Sequence, residues 1–315
     1  MSRLPAFPIP VRINPARTGP ASAEETSAWY AEPQVAVAGI EDIVLVASGK
    51  GGVGKSTVTV NLACALARAG KRVGILDADL YGPSITRMMG TDRALPVDDE
   101  GRTLPVENHG VWTVSVGNVL PPEAALVWKG PLVTQALTQM FHDIAWPELD
   151  ILLVDLPPGT GDVPLTILEQ IPVSGALLVT TPQKLSIVDA ARGIALFHDL
   201  DIPVFGLVEN MSSYICPCCG EAQALFPDGT AASLARRKSV RFLGDIPLDP
   251  EGQLLADGGT PLVVSRPQGA VAQHFVAVAA EVVSAVERER AFRARDSDEQ
   301  LRAEHEAFWE NLLGD

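Results

Sequence analysis

From residue 40 onward, the chain alternates short apolar runs with longer segments of helical periodicity. The apolar runs are rich in Val, Ile and Leu and cover 42–48, 72–79, 111–117, 150–158, 175–182, 203–210 and 241–247. Near-continuous apolar runs of this length are typical of parallel strands that are buried on both faces. The pattern therefore predicts an α/β fold, a doubly wound, mostly parallel sheet with helices on both faces.

The best-defined predicted helix follows the first strand. Its apolar residues repeat at helical spacing and are Val58, Leu62, Ala65, Leu66 and Ala69. Gly70 comes next, and glycine often ends a helix because it accepts a left-handed backbone. The first two strands and this helix therefore form a βαβ unit.

The two ends of the chain depart from this pattern. Residues 1–38 contain six prolines and show no periodicity, which predicts an irregular or extended arm. Residues 268–290 predict a helix packed on the sheet, and 291–315 predict a charged helix with a thin apolar stripe. We expect the last helix to be solvated with a small docking face, since a membrane-binding helix would need a more basic face.

Composition restricts the possible partners and location. The net charge is −15 and the isoelectric point is about 4.7, which argues against broad nucleic-acid binding because phosphates require basic surface. We read no apolar run as long as the roughly 18–20 residues that span a bilayer, and the N-terminus does not resemble a signal peptide. With few cysteines, the chain is expected to be cytoplasmic, without nucleic-acid or membrane partners.

The segment "SGKGGVGKST", residues 48–57, joins the first strand to the first helix and fits the phosphate-binding pattern G-x-x-x-x-G-K-[ST]. Glycines let backbone N–H groups point at phosphate oxygens, and the helix N-terminus adds partial positive charge. The alternative is a glycine-rich turn that binds nothing. The predicted nucleotide-binding residues are Gly49, Lys50, Gly51, Gly52, Val53, Gly54, Lys55, Ser56 and Thr57.

Three carboxylates at the ends of two predicted strands complete the ATPase pattern. Asp155 ends an apolar strand, where a carboxylate holds Mg²⁺ in P-loop NTPases, and Ser56 can also ligate that ion. Asp77 and Asp79 end the second strand. The loop 156–162 after Asp155 is a plausible switch that senses the γ-phosphate.

The segment "CPCCG" holds Cys216, Cys218 and Cys219, while the rest of the chain has only Cys64. C-x-x-C spacing is half of a four-thiolate metal site, and soft thiolates accept zinc or an iron–sulfur cluster. A redox pair and simple buried thiols are alternatives. Cys64 lies among alanines of the first helix and is expected to be an inert core residue.

Several segments together resemble the Mrp/ApbC/Nbp family of iron–sulfur cluster carrier ATPases. They are "GKGGVGKST", "DADLYGPS", "VWKGP" (127–131), "DLPPGTGD", "TTPQ" and "ENMS" followed by "CPCCG". The resemblance covers roughly residues 40–265 and implies a MinD/ParA-like P-loop ATPase that uses ATP and Mg²⁺. It implies that Lys50 reaches the nucleotide of a homodimer partner, that Asp79 positions the attacking water and that Asn210 reads adenine. As isolated residues, Asp79 could instead cap a helix and Asn210 could occupy a turn.

The same resemblance makes Cys216 and Cys219 the cluster ligands, because the family pattern is C-P-x-C-G. Two such pairs in a homodimer would supply four thiolates to one [4Fe–4S] cluster, which the protein would receive from a scaffold and pass to apo-protein acceptors. Cys218 departs from the pattern and could ligate, assist transfer or be incidental; we favour the last. Trp128 and Lys129 match a family segment, although Trp128 could equally pack in the core.

The resulting division is an arm at 1–38, an ATPase domain with the C-x-x-C motif at 39–290, and a charged helix at 291–315. Many relatives carry an accessory α/β domain ahead of the ATPase, and 38 residues are too few to form it. Two other functions fit part of the sequence. A ParA/MinD-type positioning ATPase would explain the P-loop but not the cysteines, and a zinc-stabilised regulatory dimer would explain the cysteines.

Overall fold

The computed structural model describes residues 35–79, 82–119, 130–159, 165, 167, 171–216, 218–226 and 231–313, with backbone alone for 119, 130–135 and 297–313. Its strands are β1 (Ile40–Ala47), β2 (Val73–Asp77), β3 (Val106–Asn108), β4 (Val111–Ser115), β5 (Leu149–Asp155), β6 (Gly175–Thr180), β7 (Val204–Ile215), β8 (Ala222–Ala224) and β9 (Phe242–Leu248). Its helices are α1 (Lys55–Arg68), α2 (Ile85–Met89), α3 (Val116–Val119), α4 (Gly130–His142), α5 (Lys184–Asp199), α6 (Ala231–Arg237), α7 (Pro250–Asp257), α8 (Leu262–Ser265) and α9 (Ala270–Leu313).

All described strands join one sheet in the order β3-β4-β2-β5-β1-β6-β7-β8, and β9 also pairs with β7. Strands β4, β2, β5, β1, β6, β7 and β9 run parallel, which confirms the predicted mostly parallel sheet. The short strands β3 and β8 are antiparallel additions that the sequence pattern did not predict. The parallel arrangement brings the carboxyl ends of the seven strands to one edge of the sheet.

Helices cover both faces of the sheet, as predicted. Along β1, Ile43 and Leu45 pack into one core cluster, whereas Val44 and Val46 pack into the other. The first cluster includes buried residues of α4, α5 and α6, and the second includes those of α1, α2 and α9. Because side chains alternate along a strand, a strand covered on both faces must be apolar throughout.

The C-terminal segment differs from the predicted pair of helices. Helix α9 is continuous from Ala270 to Leu313, because its sequence contains no glycine or proline to interrupt it. Its first half packs on the sheet, and Arg290 and Arg293 then pair with the buried carboxylate of Asp42 in β1. The change to a charged composition near residue 291 therefore changes the exposure of the helix, not its secondary structure.

Residues Ala270–Asp296 of α9 are long and apolar enough to cross a membrane by length and composition alone, a feature that the reading of the sequence missed. The apolar side chains of this stretch include Val271, Phe275, Val278, Val282 and Val286, and these are buried against the sheet and α1. Burial in the core accounts for their hydrophobicity.

Candidate functional site

The phosphate-binding loop connects β1 to α1 at the carboxyl edge of the sheet. Gly52 and Gly54 both adopt φ of 79°, a left-handed conformation that favours glycine. A Cβ on Gly54 would also overlap the amide nitrogen of Asn210, and a Cβ on Gly49 would overlap the backbone of Asp189 in α5. The first and last glycines of the motif are therefore needed for close approach by two other parts of the chain.

Asp155 receives three side-chain donors at the end of β5. Its Oδ2 accepts from Nζ of Lys55 and Oγ of Ser56, each at 2.6 Å, and its Oδ1 accepts from Oγ1 of Thr59 at 2.6 Å. Lys55 and Asp155 are both buried. The predicted phosphate-binding lysine and the predicted Mg²⁺-binding serine and aspartate are thus in direct contact.

Asp77 lies beside this cluster, because β2 and β5 pair in register at Asp77 and Asp155. Complete burial and the nearby charge of Asp155 raise the pKa of Asp77 to about 7, although the hydroxyl of Ser115 (2.8 Å) and the N–H of Asp79 (3.1 Å) donate to it. Asp77 thus joins β2 to β4 and orients the residue that begins the next loop.

Asp79 and Lys50, which the sequence predicts to act on the nucleotide, have different neighbours. The carboxylate of Asp79 is 3.7 Å from Nζ of Lys55. Nζ of Lys50 donates to Oε1 of Gln183, the residue that precedes α5, at 3.1 Å. Lys55 and Asp79 therefore belong to one cluster, whereas Lys50 lies against α5.

Asn210 connects the loop to β7. Its side chain is buried and donates from Nδ2 to the carbonyl oxygen of Val53 at 2.9 Å. A turn residue would be exposed, so Asn210 is a strand residue that contacts the phosphate loop directly. Thr57, in the first turn of α1, lies with Oγ1 3.9 Å from the sulfur of Met88.

The cysteine segment follows β7 and leads into β8. The N–H of Cys216 donates to the carbonyl of Glu221 at 3.0 Å, and the N–H of Gly220 donates to the carbonyl of Cys216 at 2.8 Å. Cys216 is half-buried, and Cys218 and Cys219 are exposed; all are free thiols. Backbone N–H groups of Cys219 and Cys218 lower the pKa of the Cys216 thiol, which favours the thiolate that binds metal.

Comparison with known proteins identifies the family. The ParA-family model described as NUBPL iron-transfer P-loop NTPase matches residues 39–283. The chain belongs to this family. Membership in this iron-transfer P-loop NTPase family confirms the family resemblance seen in the sequence.

Curated relatives carry a consistent name. The chain is 47% identical over 236 residues to the iron-sulfur cluster carrier protein of Escherichia coli K12, and 48% identical over 250 residues to that of Deinococcus radiodurans. These matches cover 75% and 79% of this chain, and 64% and 71% of the relatives. The chain therefore spans less than two thirds of the length of the Escherichia coli protein.

A solved structure has a similar fold. The nucleotide-binding protein of Archaeoglobus fulgidus, determined in complex with ADP, aligns with a TM-score of 0.65 and 38% identity. The alignment covers 75% of this chain and 93% of that protein.

Three side chains that contact the predicted site residues were not predicted from the sequence. Thr59 donates a hydrogen bond to Asp155. Its position four residues after Lys55 is a sequence signal for this contact, since residues at that spacing share a helix face. Ser115 and Gln183 come from other strands and loops, and only the folded chain brings them to Asp77 and Lys50.

Other predicted residues lie outside the described parts of the chain. They are Trp128, Lys129 and residues 160–162 of the loop after Asp155. Cys64 is described, and it is fully buried with its pKa raised to about 12 by burial. This confirms Cys64 as a core residue.

Proposed function

We propose that this protein is an ATP-hydrolysing carrier that binds a labile [4Fe–4S] cluster between two copies of the chain and transfers it to apo-proteins. The observation that carries the proposal is the course of β7, which contacts the phosphate loop through Asn210 and leads directly to Cys216. Family membership and the names of the relatives support the same reading.

The phosphate loop and its carboxylates suit ATP with Mg²⁺. The hydroxyl of Ser56 and the carboxylate of Asp155 are hard oxygen ligands that already lie within hydrogen-bonding distance of each other. These two residues would hold the ion, which neutralises phosphate charge when bound. Lys55 binds the phosphates, and Asp79 orients the water that attacks them.

The cluster requires more ligands than the described residues of one chain bring together. Among the described residues, no three His, Cys, Asp or Glu side chains come together in a way that could hold a metal ion. A [4Fe–4S] cluster is usually held by four cysteine thiolates. Cys216 and Cys219 of each chain would supply two, so a twofold homodimer would supply the full set.

The same dimer completes the ATPase. Lys50 lies against Gln183 at the start of α5, and in the dimer its ammonium would reach the phosphates of the partner's nucleotide. ATP would then favour one arrangement of the two chains, and hydrolysis would release it. We propose that the protein acts in the cytoplasm, between a scaffold that builds the cluster and the apo-proteins that accept it.

Anaerobic reconstitution tests the proposal. The full chain is incubated with ferrous iron and sulfide, its iron and sulfide are quantified, and its mass is measured by light scattering. The expected product is a dimer with four irons and a broad visible absorbance, which transfers the cluster to an apo-acceptor at a rate that ATP changes. A cluster-loaded monomer would contradict the proposal.

Two variants separate the parts of the site. Cys216→Ala combined with Cys219→Ala should retain nucleotide binding and lose the cluster. If the double variant reconstitutes as fully as the wild type, the ligand assignment is wrong. Purification with zinc and without cluster uptake would favour a zinc-stabilised dimer, whereas ATP-dependent cosedimentation with DNA or lipid would favour a positioning ATPase.

A further inference from the structure

We propose that Met211 is the positioning residue through which nucleotide occupancy changes the position of Cys216. The inference deepens the proposed function, because it names the residue that connects the two halves of the site. It follows from three features of β7 between the phosphate loop and the cysteine segment. These features are a contact with the loop, a backbone bulge and an anchor to β9.

The contact begins at the phosphate loop. Asn210 donates to the carbonyl of Val53, and the next residue, Met211, extends its Cε methyl to 3.6 Å from the position that a Cβ of Gly54 would occupy. Asn210 therefore contacts the loop directly, and the end of the Met211 side chain lies beside the space that a side chain at Gly54 would fill. A shift of the Val53–Gly54 backbone toward β7 around a phosphate would displace Asn210, Met211 or both.

The bulge lies between Asn210 and Tyr214 and begins at Met211. This residue has φ of 56°, a left-handed conformation that is uncommon for residues other than glycine. Asn210 pairs with Ile246 and Tyr214 pairs with Leu248. Between these pairs β7 advances by four residues while β9 advances by two, so β7 contains extra length at Met211. Strained backbone of this kind is often found at functional sites.

The far side of the bulge is anchored. Oγ of Ser212 donates to Oδ2 of Asp245 in β9 at 2.7 Å, and the backbone carbonyl of Asp245 lies 2.7 Å from Nδ1 of His274 in α9. Beyond this anchor, Ser213–Ile215 pair with β8, and Cys216 follows at once. The conformation of Met211 thus determines where the strand re-enters the sheet and where Cys216 lies.

A change in the bulge would move Cys216 far enough to affect its binding to a metal. A strand rises by about 3.3 Å per residue, so gaining or losing one residue of the bulge would move Cys216 by about that distance. This displacement exceeds a metal–sulfur bond, which is about 2.3 Å for zinc. A change at Met211 would therefore be enough to weaken a thiolate ligand.

The test measures Cys216 without requiring a cluster. The apo-protein is alkylated with iodoacetamide, with and without ATP and Mg²⁺, and mass spectrometry quantifies each cysteine separately. In the wild type, nucleotide should change the Cys216 rate by about fivefold or more, a usual size for coupling between two sites. Cys64 should stay unlabelled in every sample, which reports that the fold is intact.

Variants then locate the coupling. Met211→Gly accepts the left-handed backbone without strain and removes the side-chain contact, so the nucleotide effect on Cys216 should be lost while nucleotide still binds. Met211→Leu keeps an apolar side chain and the backbone restriction, and should retain the effect. Ser212→Ala releases the anchor without altering Met211, and should reduce the effect, which provides a second test if Met211→Gly does not fold.

The outcomes separate this inference from the proposed function. The role of Met211 would be overturned if nucleotide did not change the alkylation rate of Cys216 in the wild type. It would also be overturned if the Met211→Gly and Ser212→Ala variants kept the full nucleotide effect, even in a protein that carries a cluster. Conversely, a nucleotide effect that depends on Met211 in a protein that never takes up a cluster would overturn the carrier function alone. If nucleotide also changes the equilibrium affinity for the cluster, bound cluster must change the affinity for nucleotide by that same factor.

Discussion

The ammonium of Lys55 and the carboxylate of Asp155 lie 2.6 Å apart, buried at the carboxyl edge of the sheet. Removing one member of a buried ion pair leaves the other charge uncompensated and typically destabilises a protein by about 3–5 kcal/mol. Lys55→Ala should therefore lower the free energy of unfolding by about that amount and abolish nucleotide binding. Urea denaturation and a fluorescent-nucleotide titration measure the two effects.

Lys238→Ala is the matched control for this prediction, because Lys238 is exposed in the turn after α6. A surface substitution of this kind usually changes stability by less than about 0.5 kcal/mol. Equal stability of the two variants would show that the Lys55–Asp155 pair contributes nothing to folding.

Two buried threonines provide a test of the hydrogen bond to Asp155 that leaves Lys55 in place. Thr59→Val removes a donor to the carboxylate, and a hydrogen bond to a charged group contributes about 1.5–3 kcal/mol. Thr113→Val is the control, since among the described residues its buried Oγ1 has no hydrogen-bond partner. Urea unfolding should show Thr59→Val destabilised and Thr113→Val unchanged or more stable; the reverse order would contradict the assignment.

Cys218, the middle cysteine of the motif, should not be needed for cluster uptake. Cys218 is exposed, and backbone N–H groups instead favour the thiolate of Cys216. Cys218→Ala should therefore take up as much iron and sulfide as the wild type after anaerobic reconstitution. A loss as large as that of the Cys216 and Cys219 double variant would make Cys218 a ligand.

The opposite edge of the sheet is held by charge. Asp42 is buried and accepts from Oγ of Ser174, from Arg290 and from Arg293. Arg290→Ala with Arg293→Ala removes three charged hydrogen bonds and should lower the free energy of unfolding by at least about 1.5–3 kcal/mol, the contribution of one such bond. Because Asp42→Asn removes the buried charge as well, it should destabilise less than the double arginine variant.

The ion pair between Arg72 and Asp150 predicts that the free energy of unfolding depends on pH. Hydrogen bonds from Arg72 lower the pKa of Asp150. The stabilisation is present above the unfolded pKa of about 3.9 and disappears as the pH falls through the lower folded pKa. The partly exposed pair should contribute less than about 1 kcal/mol.

Urea titrations measure that dependence with Arg72→Met. The deficit of this variant relative to the wild type should be constant from pH 7 to pH 5 and should shrink below pH 4. A deficit that persists at the lowest pH would mean that Arg72 stabilises the fold through packing instead of charge.

The sequence predicts the parallel sheet well because burial on both faces leaves an unbroken apolar run in each strand. Strands β3 and β8 have three residues each, and every residue of β8 is exposed, so neither contains an unbroken apolar run that would predict a strand. The phosphate loop was found because its glycines and lysine are adjacent in sequence. Contacts such as Asn210 with Val53 join distant segments and emerge only from packing.

Helix α9 shows that a change in composition does not predict where a helix ends. The composition becomes charged near residue 291, but charged residues are compatible with a helix. Because residues 270–313 include no glycine or proline, the helix continues through this change. Similarly, the left-handed Met211 has no local sequence signal, because methionine does not favour that conformation.

The anchoring charges at Asp42 and the reactive groups beyond Ala47 occupy opposite ends of β1. A strand rise of about 3.3 Å per residue separates the two ends by about 16 Å, and substitutions more than about 7–10 Å apart usually have additive effects. Thermostability could therefore be engineered at the Asp42 end by improving its ion pairs, while the geometry of the phosphate loop stays unchanged.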